Sequence, residues 1–553
     1  MSLAQAARPA TVVRSDTARD HVDIVVVALI FACTLGRLIF LLSWPIDSVI
    51  YRITDDAYYY FKVAENIVAG LGVTVDGLNR TNGVHPLWLL VILPIYLGTA
   101  GDPDLSLRLV CCLQTVLCAG SFVLCWRYVQ RLGGPWAAAV AVLIMLSPFT
   151  LNGMLNGLET GLLIFLLFVL VSSGGAGEWT DPAAPGSRKA LFGLLLGMVC
   201  LCRLDMVFLV VATATTICVF ATAGWESLRR TWNTLLSYWP SAVVFLGVVS
   251  PYFLWNWLSF RHLMPISGAL KTWSPTRDSY VSQLMSVQLA PYSLALLITA
   301  AWAIGSLVWR DGYLRRAALP AWRGAGCTPF LVPLWLGNVI QYLYAILALD
   351  WALYWWHFAS HVPTLSVLAG LGVSALLHRA KAGRIGMTLA AVLVAGATVG
   401  LAILERLERG ANHWPRYQAA LWLRENTRPD AVIAMRDSGL VGYFSRRPTV
   451  NLDGVINGYE YQAALAGGRL DEYLRRCRVT HFADYEVPVN DRTRHRIRLP
   501  ARLARAPGYE IHVDKSAAIF TSPAYRPRTL SDREEPPVQF MIWEAAAASL
   551  VQR

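Results

Sequence analysis

Charge is what this sequence has least of. Asp, Glu, Lys and Arg make up only 15% of its 553 residues, 55% are hydrophobic, and the mean hydropathy is +0.45. A soluble globular domain carries about a quarter of charged residues, so that class is excluded. A bilayer core needs about 20 mostly apolar residues per helix, and many such runs are present. The chain is predicted to be a polytopic helical membrane protein.

A cysteine framework is missing as well. Most of the ten cysteines lie inside apolar runs (Cys33, Cys111, Cys112, Cys118, Cys125, Cys200, Cys202 and Cys218), where thiols behave as small hydrophobes. Cys477 stands alone in the polar C-terminal part, and there is no Cys-x-x-Cys pair, so neither a disulfide scaffold nor a thiolate metal site is indicated. No internal repeat at a fixed period is present. Acid is also scarce relative to base, which leaves a net charge of +12. The distribution of the bases speaks against a nucleic-acid partner. They fall in short clusters between apolar runs: Arg127 and Arg131, Arg188 and Lys189, Arg229 and Arg230, Arg310 to Arg323, Arg379 to Arg384. That is the pattern of cytoplasmic loops.

Spans are predicted at about 22–44, 107–127, 135–151, 158–173, 190–202, 206–222, 236–258, 284–309, 328–349, 362–377 and 385–404. A shorter apolar run at 86–100, interrupted by Pro94, is not counted, because leaving it out puts every basic cluster on one side. The first segment, Ile24 to Leu42, follows Arg8, Arg14 and Arg19 and reads as an uncleaved anchor with a cytoplasmic N-terminus. The far side then receives 45–106, 152–157, 202–206, 259–283, 350–361 and everything after about 405. The expected organisation is a mainly α membrane bundle of about eleven spans over 1–404, with a first outer loop at 45–106. A small extracytoplasmic α/β domain follows over 405–525, then a poorly ordered tail over 526–553. In the small domain an amphipathic helix is expected at 414–426, with short strands at "AVIAM", "TVNLD", "THFAD" and "AAIFTS".

Two adjacent acids stand where the chain leaves the first span, in "YRITDDAYYYFKVAENIVAG" (51–70). Tyr60, Val63, Ala64, Ile67 and Val68 recur at the spacing of one helical face, and Lys62, Glu65 and Asn66 fall on the other. Gly70 and Gly72 supply a stop, so an interfacial helix over 56–69 is predicted. Thr54, Asp55 and Asp56 then sit at its start. Helix capping and catalysis explain them equally well: capping needs one acid, and a second carboxylate at membrane depth is costly without a task.

Other polar groups join them on the same side. Asn82 and His85 lie in the loop "DGLNRTNGVHPLW" (76–88), and Glu159 ends "LNGLE" (155–159). Arg203 and Asp205 interrupt the apolar "CLCRLDMVF" (200–208), and Lys271 lies in "RHLMPISGALKTW" (261–273). Each has an ordinary structural explanation: an Arg203–Asp205 pair, a snorkelling Lys271, a capping His85 or Glu159. Arg37 is expected to be a structural ion-pair partner. The set, gathered on one side of the membrane, points to a site.

The Asp-Asp start of the first outer loop, the "TNGVHPLW" that follows, and the Arg-x-Asp between two half-length apolar segments resemble the GT-C superfamily of integral-membrane glycosyltransferases. Relatives are the protein O-mannosyltransferases, the lipid A aminoarabinose transferase and the mycobacterial arabinofuranosyltransferases. The resemblance implies a sugar donor carried on polyprenyl phosphate and a glycan, lipid or protein acceptor of the cell envelope. It also implies a multi-pass protein of the bacterial inner membrane, with its site on the extracytoplasmic side among membrane lipids. By position Asp55 matches the first acid of the family's pair and Asp56 the second; several relatives carry Asp-Glu there, so the resemblance leaves open which acid is the general base, and Asp55 is the one expected. No second acidic pair with metal-ligand spacing is evident, so no metal is assigned and a divalent cation stays open.

The chemistry suits the residues. Transfer from a sugar phosphate requires a base for the acceptor hydroxyl and fixed cations for the departing phosphate. Arg203 would offer a bidentate fork and Lys271 a point charge, with His85, Asn82, Glu159 and Asp205 around the substrate. A reading from another class, a transporter or flippase for a lipid-linked precursor, would bring inverted repeats and broken helices in matching halves.

Overall fold

The computed structural model describes residues 17–173, 183–221, 228–272, 328–349, 354–379, 396, 413–489, 493–501, 506–525 and 537–552. The helices of the membrane part are α1 (Thr17–Ser43), α2 (Ile46–Ile50), α3 (Asp55–Val68), α4 (Pro86–Gly98), α5 (Pro103–Met145), α6 (Pro148–Met154), α7 (Thr160–Ser173), α8 (Gly186–Cys202), α9 (Val207–Ala221), α10 (Leu228–Ser237), α11 (Trp239–Phe260), α12 (Ile266–Lys271), α13 (Thr328–Ala348) and α14 (His361–Arg379). Among the described residues three helices are long and apolar enough to cross a membrane: Asp23–Ser43, Pro103–Met145 and Trp239–Phe260. Pro86–Gly98, Thr160–Ser173, Leu204–Cys218 and His361–Ser374 are apolar but shorter. The expected span at 284–309, and all of 385–404 except residue 396, lie outside the described residues.

The runs expected as separate spans at 107–127 and 135–151 are joined in α5, which breaks at Gly134 (φ 80°, ψ −179°). The cause is local. A residue before proline is driven out of the helical region, Pro135 follows, and glycine can take the positive φ that results. Arg37, expected to pair with an acid, instead donates from Nε to the Thr115 hydroxyl at 3.1 Å.

The C-terminal domain opens with α15 (His413–Asn426), close to the expected helix. It continues through β1 (Val432–Met435), α16 (Gly439–Ser445), β2 (Thr449–Asn451), α17 (Tyr459–Ala466), α18 (Leu470–Arg476), β3 (Val479–Pro488), β4 (Arg494–Ala501), β5 (Ala506–Asp514), β6 (Phe520–Thr521), β7 (Val538–Glu544) and β8 (Ala548–Gln552). One sheet has the order β2-β1-β3-β7-β6, parallel across β2-β1-β3 and antiparallel around β7; the other is β4-β5-β8, antiparallel throughout. The residues expected as a poorly ordered tail therefore supply two strands. β7 carries Phe540, Ile542 and Trp543, all fully buried, and sits between β3 and β6. Burying these side chains opposes the entropy cost of ordering the segment.

Asp484 of β3 is fully buried in this domain, with Arg436 Nη2 at 2.9 Å and His495 Nε2 at 2.8 Å. Burial alone would raise its carboxyl, but Arg436 and His495 overcome that and hold it at about 2. A depressed acid stabilises the fold above its unfolded value and loses that contribution as pH falls through the folded one. Stability of this domain is expected to drop by roughly 2 kcal/mol between about pH 4 and pH 2. Thermal unfolding of the full chain in detergent at stepped pH checks this; Asp484→Asn should be less stable at neutral pH and lack that acid limb.

Helix α3 reads in sequence as an interfacial helix with Lys62, Glu65 and Asn66 opposite its apolar face. It is instead buried nearly all round, including Lys62 and Asn66. It packs against α4 and against α16 of the C-terminal domain, with Tyr58, Phe61 and Tyr443 in ring contact. Lys62 pairs with Glu65 at 2.9 Å, and Asn66 Nδ2 donates to the carbonyls of Thr74 (2.9 Å) and Val75 (3.1 Å).

Candidate active site

Consecutive residues on a helix point about 100° apart, so the two acids of α3 meet different surroundings. Asp55 turns to the C-terminal domain. Its Oδ2 accepts the Gly439 N–H at 2.9 Å, its Oδ1 accepts the Leu440 N–H at 3.0 Å, and Arg416 Nη1 lies 3.2 Å from Oδ1. Burial pushes this carboxyl up to about 7, against the pull of Arg416 and of the Leu440 amide. Thr54, at the N-cap, makes no side-chain capping bond; its hydroxyl donates to the Asn156 carbonyl at 3.3 Å.

Asp56 lines a cavity of about 100 Å³. Tyr59 and Tyr60 of α3, His85, Glu159, Arg203 and Lys271 share that cavity, and Trp356, His357, Val455 and Ile456 are also among its lining residues. Segments expected on one side of the membrane thus converge on one place. Burial raises the Asp56 carboxyl above its ordinary value; Lys271 acts against the rise, and Asp437 and Glu159 add to it. Burial lowers the Lys271 ammonium, and Asp56 acts against that fall. The His85 imidazole is held low by burial, with Glu159 opposing. His357 is held well below its ordinary value by burial, with Lys271 and Arg203 adding to the effect. Burial thus favours the neutral form of both rings.

Glu159 owes its place to a tight turn. Gly157 has φ +92°, and a Cβ there would come within 2.5 Å of Ala57 Cβ. Gln114 grips the turn from α5: Oε1 accepts the Gly157 N–H at 3.0 Å and Nε2 donates to the Leu158 carbonyl at 2.7 Å. Trp88 Nε1 donates to the Gly157 carbonyl at 3.0 Å. Glu159 Oε1 then lies 2.9 Å from Arg203 Nη1 and 3.8 Å from His85 Nε2.

Arg203 follows α8 in extended backbone (φ −147°). Its fork is already engaged: Nε meets Asp205 Oδ1 at 3.2 Å and Nη2 meets Oδ2 at 3.0 Å, while Nη1 donates to the Trp356 carbonyl at 3.2 Å as well as to Glu159. Gln341 Nε2 holds Asp205 Oδ2 at 2.7 Å. The guanidinium expected to grip a phosphate bidentately is thus committed to Asp205, because a cation buried among apolar segments needs its countercharges.

Asn82 does not line the cavity. Its Nδ2 donates to Asn256 Oδ1 at 3.1 Å, and its Oδ1 accepts the Ile266 N–H at 3.0 Å, tying the first outer loop to the start of α12, whose last residue is Lys271. Sequence reasoning also missed several residues here. Trp356 and His357 sit in "YWWHF" (354–358), an aromatic-histidine cluster that could have flagged them. Val455 and Ile456 carried no signal, being two aliphatic residues in a distant domain. Among the described residues no group of three or more His, Cys, Asp or Glu side chains is arranged to hold a metal ion.

Solved structures share this architecture. ArnT from Cupriavidus metallidurans in the apo state superposes with a TM-score of 0.50 at 16% identity, over 84% of this chain and 96% of that one. ArnT from the same organism bound to undecaprenyl phosphate gives 0.49 at 15% identity, over 76% and 85%. Archaeal oligosaccharyltransferase AglB from Archaeoglobus fulgidus, in complex with an inhibitory peptide and a dolichol-phosphate, gives 0.48 at 14% identity, over 85% and 70%. The chain has the GT-C fold that its outer-loop motifs resemble. Residues 406–530 match a family described as a domain of unknown function (DUF8728). The comparison with curated proteins finds no match.

Proposed function

We propose that the protein is a membrane glycosyltransferase that moves a sugar from a polyprenyl-phosphate-linked donor to a hydroxyl acceptor of the cell envelope, on the extracytoplasmic side. One observation carries the reading: an acid, Asp56, and a lysine, Lys271, line one cavity on a GT-C fold and act on each other electrostatically. The sequence pairs Asp55 with Asp56 and leaves the choice open; the geometry favours Asp56. Asp55 has three donors on its two oxygens, whereas Asp56 opens into the cavity.

In the proposed step Asp56 takes the proton of the acceptor hydroxyl as its oxygen attacks the anomeric carbon. The bond from that carbon to the phosphate oxygen breaks, and its electron pair leaves with the polyprenyl phosphate. Lys271 meets the growing phosphate charge, and His85 and His357 stand beside it as hydrogen-bonding groups. Arg203, held by Asp205 and Glu159, fixes the cavity wall and contributes its charge rather than its fork. Asn82 positions α12 and so Lys271. The raised carboxyl of Asp56 makes it a stronger base than an ordinary aspartate. No step is assigned to a metal. Mass spectrometry of lipid-linked sugars and envelope glycans in a deletion strain tests the reading. Loss of one glycan sugar with accumulation of its polyprenyl-phosphate form is expected; unchanged pools of both would contradict it.

A further inference from the structure

The match over 406–530 assigns no role to the C-terminal domain. The domain nevertheless reaches the cavity, and it does so through two sets of ties. At one end lies Asp55, bound by the Gly439 and Leu440 amides and by Arg416. Beside it the Tyr59 hydroxyl accepts the Ser438 N–H and an Asn451 Nδ2 hydrogen, both at 3.0 Å. Arg416 is itself fixed, its guanidinium stacked 3.8 Å over the Tyr485 ring and 3.7 Å from Asp437 Oδ2. At the other end the Tyr459 ring stacks on His262 at 3.8 Å, its hydroxyl donates to the Met264 carbonyl at 2.5 Å, and Asn79 Nδ2 lies 3.5 Å from Cys477 Sγ.

Three glycines let the backbones meet. A Cβ on Gly439 would stand 2.1 Å from the Asp55 carbonyl oxygen, one on Gly83 2.5 Å from the Val455 carbonyl oxygen, and one on Gly458 2.9 Å from the Arg80 carbonyl oxygen. Between the two sets of ties runs the loop that brings Val455 and Ile456 into the cavity wall with Asp56 and Lys271.

We propose that the C-terminal domain is a latch that completes the catalytic cavity: Asp55 is its docking ligand, and docking sets the Val455–Ile456 wall over Asp56 and Lys271. The adjacent acids thereby divide the work, one holding the domain and the other facing the substrate. Asp55 and Arg416 are positioning residues. The latch excludes water from the reacting groups, which strengthens every charge interaction inside, and it steadies the first turn of α3, which has no capping bond of its own. The kinetic part of this proposal rests on the glycosyltransferase reading; the docking part does not.

Hydrogen exchange and kinetics on the full chain in detergent separate the two. In Arg416→Ala and Asp55→Ala, the amides of 438–440 and 453–459 are expected to exchange at least tenfold faster, while α5 and α7 exchange as in the wild type. With a polyprenyl-phosphate sugar as donor, kcat should fall at least tenfold and the donor KM should change less than twofold. Arg416→Lys, which keeps the charge, should lie between wild type and Arg416→Ala in both readouts, and it serves as the graded variant where Asp55→Ala fails to fold. Unchanged exchange in Arg416→Ala would overturn the latch, whatever happens to turnover. Faster exchange with unchanged kcat would overturn the domain's part in the cavity. If the wild type transfers no sugar, the exchange arm still decides the docking while the glycosyltransferase reading fails by itself.

Discussion

Asp56→Asn is expected to fold like the wild type, to bind a polyprenyl-phosphate ligand with near-normal affinity, and to turn over about 10²–10⁴-fold more slowly, the usual worth of a general base. Asparagine keeps the size of the side chain but cannot accept the acceptor's proton. The variant separates the two acids, because Asp55 bonds to Gly439, Leu440 and Arg416 and stands away from the cavity. Near-normal turnover of Asp56→Asn, with loss of turnover but intact docking in Asp55→Asn, would return the base to Asp55. The pH profile gives a second check. Asp56 must be ionised to act, and burial raises its carboxyl from 3.8. The acid limb of kcat should therefore lie above the ordinary carboxylate range, and Asp56→Asn should remove it.

Lys271→Met should lower kcat by about 10²–10³-fold, comparable to deleting one fixed donor from an oxyanion site. Methionine fills a similar volume without the charge. The other cation in the cavity, Arg203, is engaged by Asp205 and Glu159 and does not replace it. Lys271→Arg should recover part of the activity, since charge is kept while the guanidinium is larger. Protonated Lys271 is the active form, and burial lowers its pKa from 10.5. A basic limb below the ordinary lysine range is thus expected in the wild type, absent from Lys271→Met. Measuring kcat for both variants across pH with a synthetic donor decides it; an unchanged kcat in Lys271→Met would remove it from leaving-group stabilisation.

Much of this site was legible in local sequence. The helix after Asp55, its stop at Gly70 and Gly72, and the His85-Pro86 entry to α4 all follow from short-range rules of spacing, turns and caps. The choice between Asp55 and Asp56 was not legible. It depends on amides 384 and 385 residues away in sequence that meet Asp55 only in the folded chain. Part of the burial of α3 has the same origin, since Tyr58 and Phe61 meet Tyr443 of a separate domain. Arg203 shows a different limit. Its residue type suggested a phosphate fork, yet the nearest carboxylate, Asp205 two residues on, takes that fork. The β7 strand was missed because a short apolar run near a chain end gives no sign of the neighbours, β3 and β6, that pair with it.

The central claim, that this cavity breaks a sugar–phosphate bond of a lipid-linked donor, is tested most directly by purified protein and a panel of synthetic polyprenyl-phosphate sugars with envelope extract as acceptor. The quantity to follow is free polyprenyl phosphate. Time-dependent release from one donor, stoichiometric with labelled sugar in the acceptor fraction and reduced at least a hundredfold in Asp56→Asn, is the predicted result. Release that proceeds equally in wild type and Asp56→Asn, or no release from any donor by folded wild-type protein, would contradict it.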